Sequence, residues 1–243
     1  MPILILLISL LLISSPSSAT ELRFVSVNFP PYTYQTPTGG AGVIYEIVQE
    51  ISKRVGKPAM IEFVPWARAR FDAENNANVL ILPLARTPER EAKYTWLIHV
   101  LDDPYVLITL KNSNHDISTI KAAKDLKIGI LSGSVADHLL RTLGFTNLEP
   151  ASTDIQNVKK LKLRRIDAWV APYGCRGQYE KEGGLGLQDL RAGVQLTMLE
   201  EYLGASKSLD PVIVKKWQDA FATMKQDGSY QAIMKKYDFK PLN

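Results

Sequence analysis

The chain has 243 residues, 46% hydrophobic and 22% charged, enough length and apolar content for two packed lobes, which excludes an extended disordered chain. Its formal charge of +4 is scattered, with no basic run interleaved with stacking aromatics, so nucleic acid is not an indicated partner. The single cysteine, Cys175, excludes an intrachain disulfide and, with no nearby histidine to activate it, reads as a small apolar filler.

The chain opens with MPILILLISLLLISSPSSAT, an apolar run from Ile3 to Ile13 followed by small residues ending Ser17-Ser18-Ala19. A membrane helix needs about 20 predominantly apolar residues and a signal core only about 7 to 15, so residues 1–19 read as a signal peptide cleaved before Thr20. The leader lacks Lys and Arg, leaving the α-amino group as its only positive charge. No cysteine follows the cleavage point to accept a lipid, so the expectation is a periplasmic chain that is not a lipoprotein.

Beyond the leader, LRFVSV (22–27) reads as a strand and NFPPYTYQTPTGG as a loop. Ile44, Ile47, Val48, Ile51 and Val55 then follow the 3.6-residue period of a helix that Gly56 and Pro58 end. AMIEFVPW (59–66) is a second strand closed by Trp66, ARARFDAENN a short helix, and NVLILPL (78–84) a buried strand. The next stretch, PLARTPERE (83–91), predicts a helix with Thr87 as N-cap and Pro88 at its first position. Arg90 then adds a cation to the positive end of the helix dipole, a placement that asks for an anion. The alternative is that Glu89 or Glu91 pairs with Arg86 or Arg90 on a solvated surface.

After the extended segment DDPYVLITLKN (102–112), the alternation repeats: LKIGILSGS, a helix over VADHLLRTLG, the strand NLEPAS, a helix over DIQNVKKLKLRR and the strand IDAWVAP. Alternating strands and helices imply α/β lobes with largely parallel sheets, whose carboxyl edges are where ligands bind. GVQLTMLEEYLGASK (193–207) is extended and returns the chain to the first lobe. Two helices close it, the first opened by Asp210-Pro211 and ended by Gly228. The expected division is 20–108 for lobe 1, 109–194 for lobe 2 and 195–243 for the return, with two crossings forming a hinge.

Among candidate site residues, Phe29, Tyr32 and Trp66 fall at one carboxyl edge and read either as core or together as a pocket wall. Gly133 and Ser134 precede a helix, where Ser134 caps it, backbone N–H groups face an anion, or both hold. His99, His115 and His138 show no metal or catalytic spacing, and no GxSxG, HExxH, Walker or dinucleotide loop is present. No metal and no cofactor are expected.

The segments FPPYTY, GVIYEIVQEISKRVGK, PLARTPERE, LKIGILSGS, RRIDAWV and EEYLGASKSLD leading to MKQDGSYQAIMKKY, in this order and spacing, resemble the extracellular solute-binding proteins of family 3, the type that delivers amino acids to ABC transporters. The resemblance runs from about Glu21 to Asn243. It implies a two-lobed periplasmic binding protein fold (type II) whose cleft closes on a small ligand, and an ABC permease as partner to a monomer. It places Arg90 on the ligand carboxylate, Pro83, Leu84 and Ala85 at the strand end contacting the ligand, Ser134 and Val135 in the second-lobe turn that donates N–H groups, and Phe29, Tyr32 and Trp66 in the aromatic wall. Where many members carry an aspartate for the ligand ammonium, this chain reads Ala171-Pro172-Tyr173, with Tyr173 facing the ligand instead. Pro83 and Ala85 also lack the hydroxyls often found there, so an ordinary amino acid, a modified one and another small carboxylate all stay open. The competing readings are a dehydratase resembling cyclohexadienyl dehydratase, with Glu180 or Glu182 as acid, and a ligand-sensing subunit of a signalling receptor.

Overall fold

The computed structural model describes residues 21–175, 183–240 and 242; the leader at 1–19, Glu180 and Glu182 lie outside the described residues. β1 (Arg23–Ser26) leads through a short hairpin, β2 (Tyr34–Thr36) and β3 (Gly39–Ala41), into α1 (Val43–Arg54). The periodic residues of α1 are the ones buried, Val43, Ile44, Ile47, Val48 and Ile51 among them. Each such aliphatic side chain contributes about 1.5 to 3 kcal/mol when fully buried, and this seats the helix on the sheet. β4 (Ile61–Phe63), α2 (Trp66–Asn75) and β5 (Val79–Ala85) follow. Trp66 opens α2 rather than closing the strand, because Pro65 before it has the fixed φ, here −57°, that suits a helix entry.

The segment after β5 corrects the sequence reading. No helix forms over 87–93. Instead Arg90 N–H donates to the Thr87 carbonyl at 3.0 Å, Glu91 to Pro88 at 3.4 Å and Lys93 to Arg90 at 2.9 Å, a run of single turns. The chain must re-enter the sheet at Tyr94, so the Thr87-Pro88 start signal has no room to propagate.

β6 (Tyr94–Leu110) is longer than the extended segment read from sequence, because YTWLIHVL joins it at the front. β7 (Ile128–Leu131), α3 (Val135–Thr142), β8 (Leu148–Ala151), α4 (Asp154–Lys162) and β9 (Ala168–Pro172) form the second alternating unit, and β10 (Leu190–Ser206) runs back beside β6. The last helices are α5 (Pro211–Asp227) and α6 (Ser229–Lys236). Asp210 caps α5 by accepting the Val212 N–H at 2.8 Å, and Gly228 ends it with a φ of 81° that favours glycine.

The strands make one sheet in the order β4-β1-β5-β10-β6-β9-β7-β8. The three strands at each end are mutually parallel, while β10 is antiparallel to both β5 and β6, and β6 is antiparallel to β9. The parallel character foreseen from the alternation therefore holds at the ends, and a long antiparallel pair joins them. Register decides where the carboxyl edges go. Ala85, ending β5, pairs with Glu201, which pairs with Leu101; Pro172, ending β9, pairs with Tyr105. Both carboxyl edges therefore converge on the middle of the β6–β10 pair. Pro83 supplies no N–H, and the β5–β10 register shifts opposite it, between Tyr202 and Gly204.

A candidate binding site at the converging strand ends

Arg90 is folded back over the end of β5 and is only 8% exposed. Its Nη1 donates to the Ala85 carbonyl at 3.0 Å, and its guanidinium carbon lies 5.4 Å from the centre of the Trp66 ring. Among the described residues its side chain makes no ion pair and no other hydrogen bond, although guanidinium carries five N–H donors. Burial lowers its pKa from the usual arginine range and the like charge of Arg70 adds to this, while Glu201, Tyr94 and Tyr105 act in the opposite direction. The stacking face and the turn hold the cation with most of its donors unused. The argument for an anion at Arg90 thus passes from a helix dipole, absent here, to a buried and under-bonded guanidinium.

Arg86 is the contrast. Its Nε and Nη2 donate to both Glu91 oxygens at 2.8 and 2.6 Å, its Nη1 to the Tyr202 hydroxyl at 3.1 Å, and it lies over the Trp96 and Tyr202 rings. The surface ion pair weighed as an alternative forms, but on Arg86.

The other sequence candidates divide. Phe29 is half-buried and Trp66 half-buried at this edge, whereas Tyr32 is fully buried, its ring 4.9 Å from Phe29 and 5.7 Å from Phe239, and its hydroxyl donating to Asp103. In this structure Tyr32 presents no surface as a wall; it supports a carboxylate. Pro83 and Leu84 are buried as well, and Leu84 belongs to the small core of Val25, Ala69, Ala73 and Ile81, so it can offer a ligand only its backbone. Ala85 contributes its carbonyl to Arg90.

Ser134 does cap α3, accepting the Asp137 N–H at 3.3 Å, but its own N–H donates to Leu131 at 3.1 Å, and the Gly133 N–H donates to the Asp137 carboxylate at 3.2 Å. Two of the turn's donors are thus occupied internally, which leaves Val135, half-buried at the helix start, as the nearest remaining backbone group. Tyr173 is 41% exposed in the turn after β9. In the next position the Gly174 N–H donates to Asp103 at 2.9 Å, and an added Cβ there would stand 2.5 Å from that carboxylate, so the close approach needs glycine. Glu89 lies 3.0 Å from His138 Nε2, joining the turn after β5 to α3.

Two functional candidates escaped the sequence reading, Asp103 and Glu201. The register pairs Leu199 with Asp103 and Glu201 with Leu101, so strand alternation puts these four on one face and Asp102 and Glu200 on the other. Both residues are 3% exposed. Burial and the charge of Asp103 push the Glu201 carboxyl up to about 8, with Arg90 opposing the rise. The available signal was a carboxylate in phase with apolar neighbours in TMLEEYLG. Each histidine faces a single carboxylate, and among the described residues no group of three or more metal-ligating side chains is found. A surface groove of about 710 Å³ along α1, lined by Tyr45, Glu46 and Gln49 among others, includes none of these residues.

Among the described residues no helix is long and apolar enough to cross a membrane. The L-cystine-binding protein TcyJ of Escherichia coli K12 is 25% identical over 220 residues, covering 86% of this chain and 79% of that protein. A histidine kinase sensor domain with similarity to periplasmic binding proteins superposes with a TM-score of 0.80 at 14% identity, covering 89% of this chain and 95% of the other. The ancestral amino acid-binding protein AncCDT-1, a precursor of cyclohexadienyl dehydratase, superposes with a TM-score of 0.75 at 16% identity, covering 90% and 95%. These likenesses carry the two-lobed fold. Residues 23–241 match the bacterial extracellular solute-binding proteins, family 3, and with strand ends converging on a buried arginine the chain belongs to that family.

Proposed function

We propose that this chain captures an amino acid or another small carboxylate-bearing solute by closing its lobes and hands it, without chemical change, to an ABC transporter permease. The observation that carries the reading is Arg90, buried over Trp66 with its guanidinium making one hydrogen bond among the described residues, since a guanidinium with free parallel donors suits a carboxylate. In this reading residues 20–108 and 195–243 make one lobe and 109–194 the other. The convergence of strand ends favours crossings somewhat further into the long strands, near Asp103 and Leu199. Phe29, Trp66, the Ala85 and Val135 backbone and Tyr173 line the remaining cleft. The chain acts as a monomer in the periplasm after loss of residues 1–19.

The test is a thermal-shift panel of L-amino acids, L-cystine, polyamines and small carboxylates on the mature chain, followed by calorimetry. L-Cystine comes first because TcyJ is a cystine-binding protein. A true ligand at 100 times its dissociation constant adds about 2.7 kcal/mol to stability. Stabilisation by a carboxylate-bearing solute is the expected result, and response only to polyamines would overturn the reading. Prephenate and arogenate should be recovered unchanged; an aromatic product would establish an enzyme instead.

A further inference from the structure

The positive charge that reads as scattered along the sequence is confined to one part of the chain. Residues 109–194 carry 13 Lys and Arg against 9 Asp and Glu, whereas the rest of the chain carries 16 of each, so the whole formal charge of +4 belongs to that segment. Its densest part is the end of α4 and the turn after it, KKLKLRR at 159–165, with no acid between Ile155 and Ile166. We infer that this surface docks the protein reversibly on an anionic phospholipid bilayer, with Leu163 entering the headgroup layer among flanking cations.

Leu163 is 61% exposed, while Val158 and Leu161 supply the buried apolar face of α4, so the core makes little use of it. Lys159, Lys162, Arg164 and Arg165, which flank it, are all exposed. Among the described residues neither Lys159 nor Arg165 makes an ion pair, and Lys162 and Arg164 donate to neutral oxygens, of Gly184 at 2.7 Å and of Asn112 at 3.2 Å. Glu149 is already shared by Lys127 and Lys160, at 3.2 and 3.0 Å. Cations in a last turn complement the helix dipole, which accounts for Lys159, Lys160 and Lys162 but not for Arg164 and Arg165 beyond the helix. An acidic protein partner would answer the charges alone. A bilayer answers the leucine as well, since binding at an interface grows with the apolar area buried and with attraction to anionic lipid, and long basic side chains lay their stems along apolar surface while their heads stay at the phosphates. Arg165 leads through Ile166 into β9, and the Asp167 N–H donates at 2.8 Å to the carbonyl of Lys127, which precedes β7. The patch therefore lies at the amino edge of β7 and β9, away from Pro172 and the candidate site, and a docked molecule keeps that site clear of lipid.

The test is flotation of the mature chain with vesicles of equal parts phosphatidylglycerol and phosphatidylcholine, against vesicles of phosphatidylcholine alone. Binding is expected to the anionic vesicles only, and it should fall as salt is raised. The triple variant Lys159→Gln/Lys162→Gln/Arg165→Gln should lose on the order of 100-fold in partitioning. Removing equal charge from exposed positions elsewhere, Lys53→Gln/Lys207→Gln/Lys216→Gln, should lose less than about tenfold. Leu163→Asn, at unchanged charge, should lose on the order of tenfold. Should the first triple variant fail to fold, Arg165→Glu alone decides, with an expected loss on the order of tenfold or more. Absent binding to the anionic vesicles, equal binding to the neutral ones, equal losses in the two triple variants, or undiminished binding by Leu163→Asn would each overturn the inference. Binding to soluble polyglutamate but not to vesicles would make the partner an acidic protein and overturn it too.

Discussion

Arg90 and Arg86 stand four residues apart and do different work. Arg86 makes three hydrogen bonds to Glu91 and Tyr202, whereas the buried Arg90 guanidinium makes one among the described residues. Arg90→Ala should therefore weaken ligand affinity by about 2 to 5 kcal/mol, since the solute carboxylate would be left buried and unpaired. Arg86→Ala should change affinity by less than about 1 kcal/mol, and calorimetric titration of both variants checks the ranking. Glu201 also makes a prediction about the ligand-free protein. Its carboxyl titrates near 8 in the folded chain and near 4.5 when unfolded, so between those values the folded state holds a proton that the unfolded state has lost. Stability from this group is fully present below about pH 4.5 and is lost as pH rises through about 8, with a slope of up to about 1.4 kcal/mol per pH unit. Urea melts of wild type and Glu201→Gln at several pH values should show that slope in the first and not in the second.

At the scale of elements, the periodic helices and buried strands were legible because their signals are local. The apolar face of α1, the Asp210-Pro211 start of α5 and the glycine ending it are read within a few residues and need no distant partner. The turn at 87–93 shows the limit of such signals. Thr87-Pro88 has the chemistry of a helix start, but the demand that Tyr94 enter β6 overrides it, and no local pattern records that demand. The same turn presents Glu89 to His138 on α3. Their side chains are 54% and 67% exposed, so the pair is a weak link between the two halves of the sheet. His138→Ala should cost less than about 1 kcal/mol of ligand affinity, measured by calorimetry; a larger loss would make the pair a closing latch.

At the scale of the whole molecule, the long β6–β10 pair gathers both carboxyl edges at its middle, so a solute held there touches both halves of the fold. Such a solute favours the closed form by the contacts it makes only there. Small-angle scattering should accordingly give a smaller radius of gyration at ligand saturation, and an unchanged profile would argue for a rigid cleft. The sequence by itself determined the family, the strand–helix alternation and the helix ends, because these rest on motif order, periodicity and capping among near neighbours. It also singled out Arg90, though on a helix dipole that the structure removes. Only the tertiary structure decided that Arg90 is buried against Trp66, that Tyr32 supports Asp103 instead of facing a cleft, and that Glu201 is buried beside the charges of Arg90 and Asp103. The physical reason is that the environment of a charge depends on desolvation and on groups brought together from distant strands, and a strand's own residues do not record which neighbour its register will set beside them.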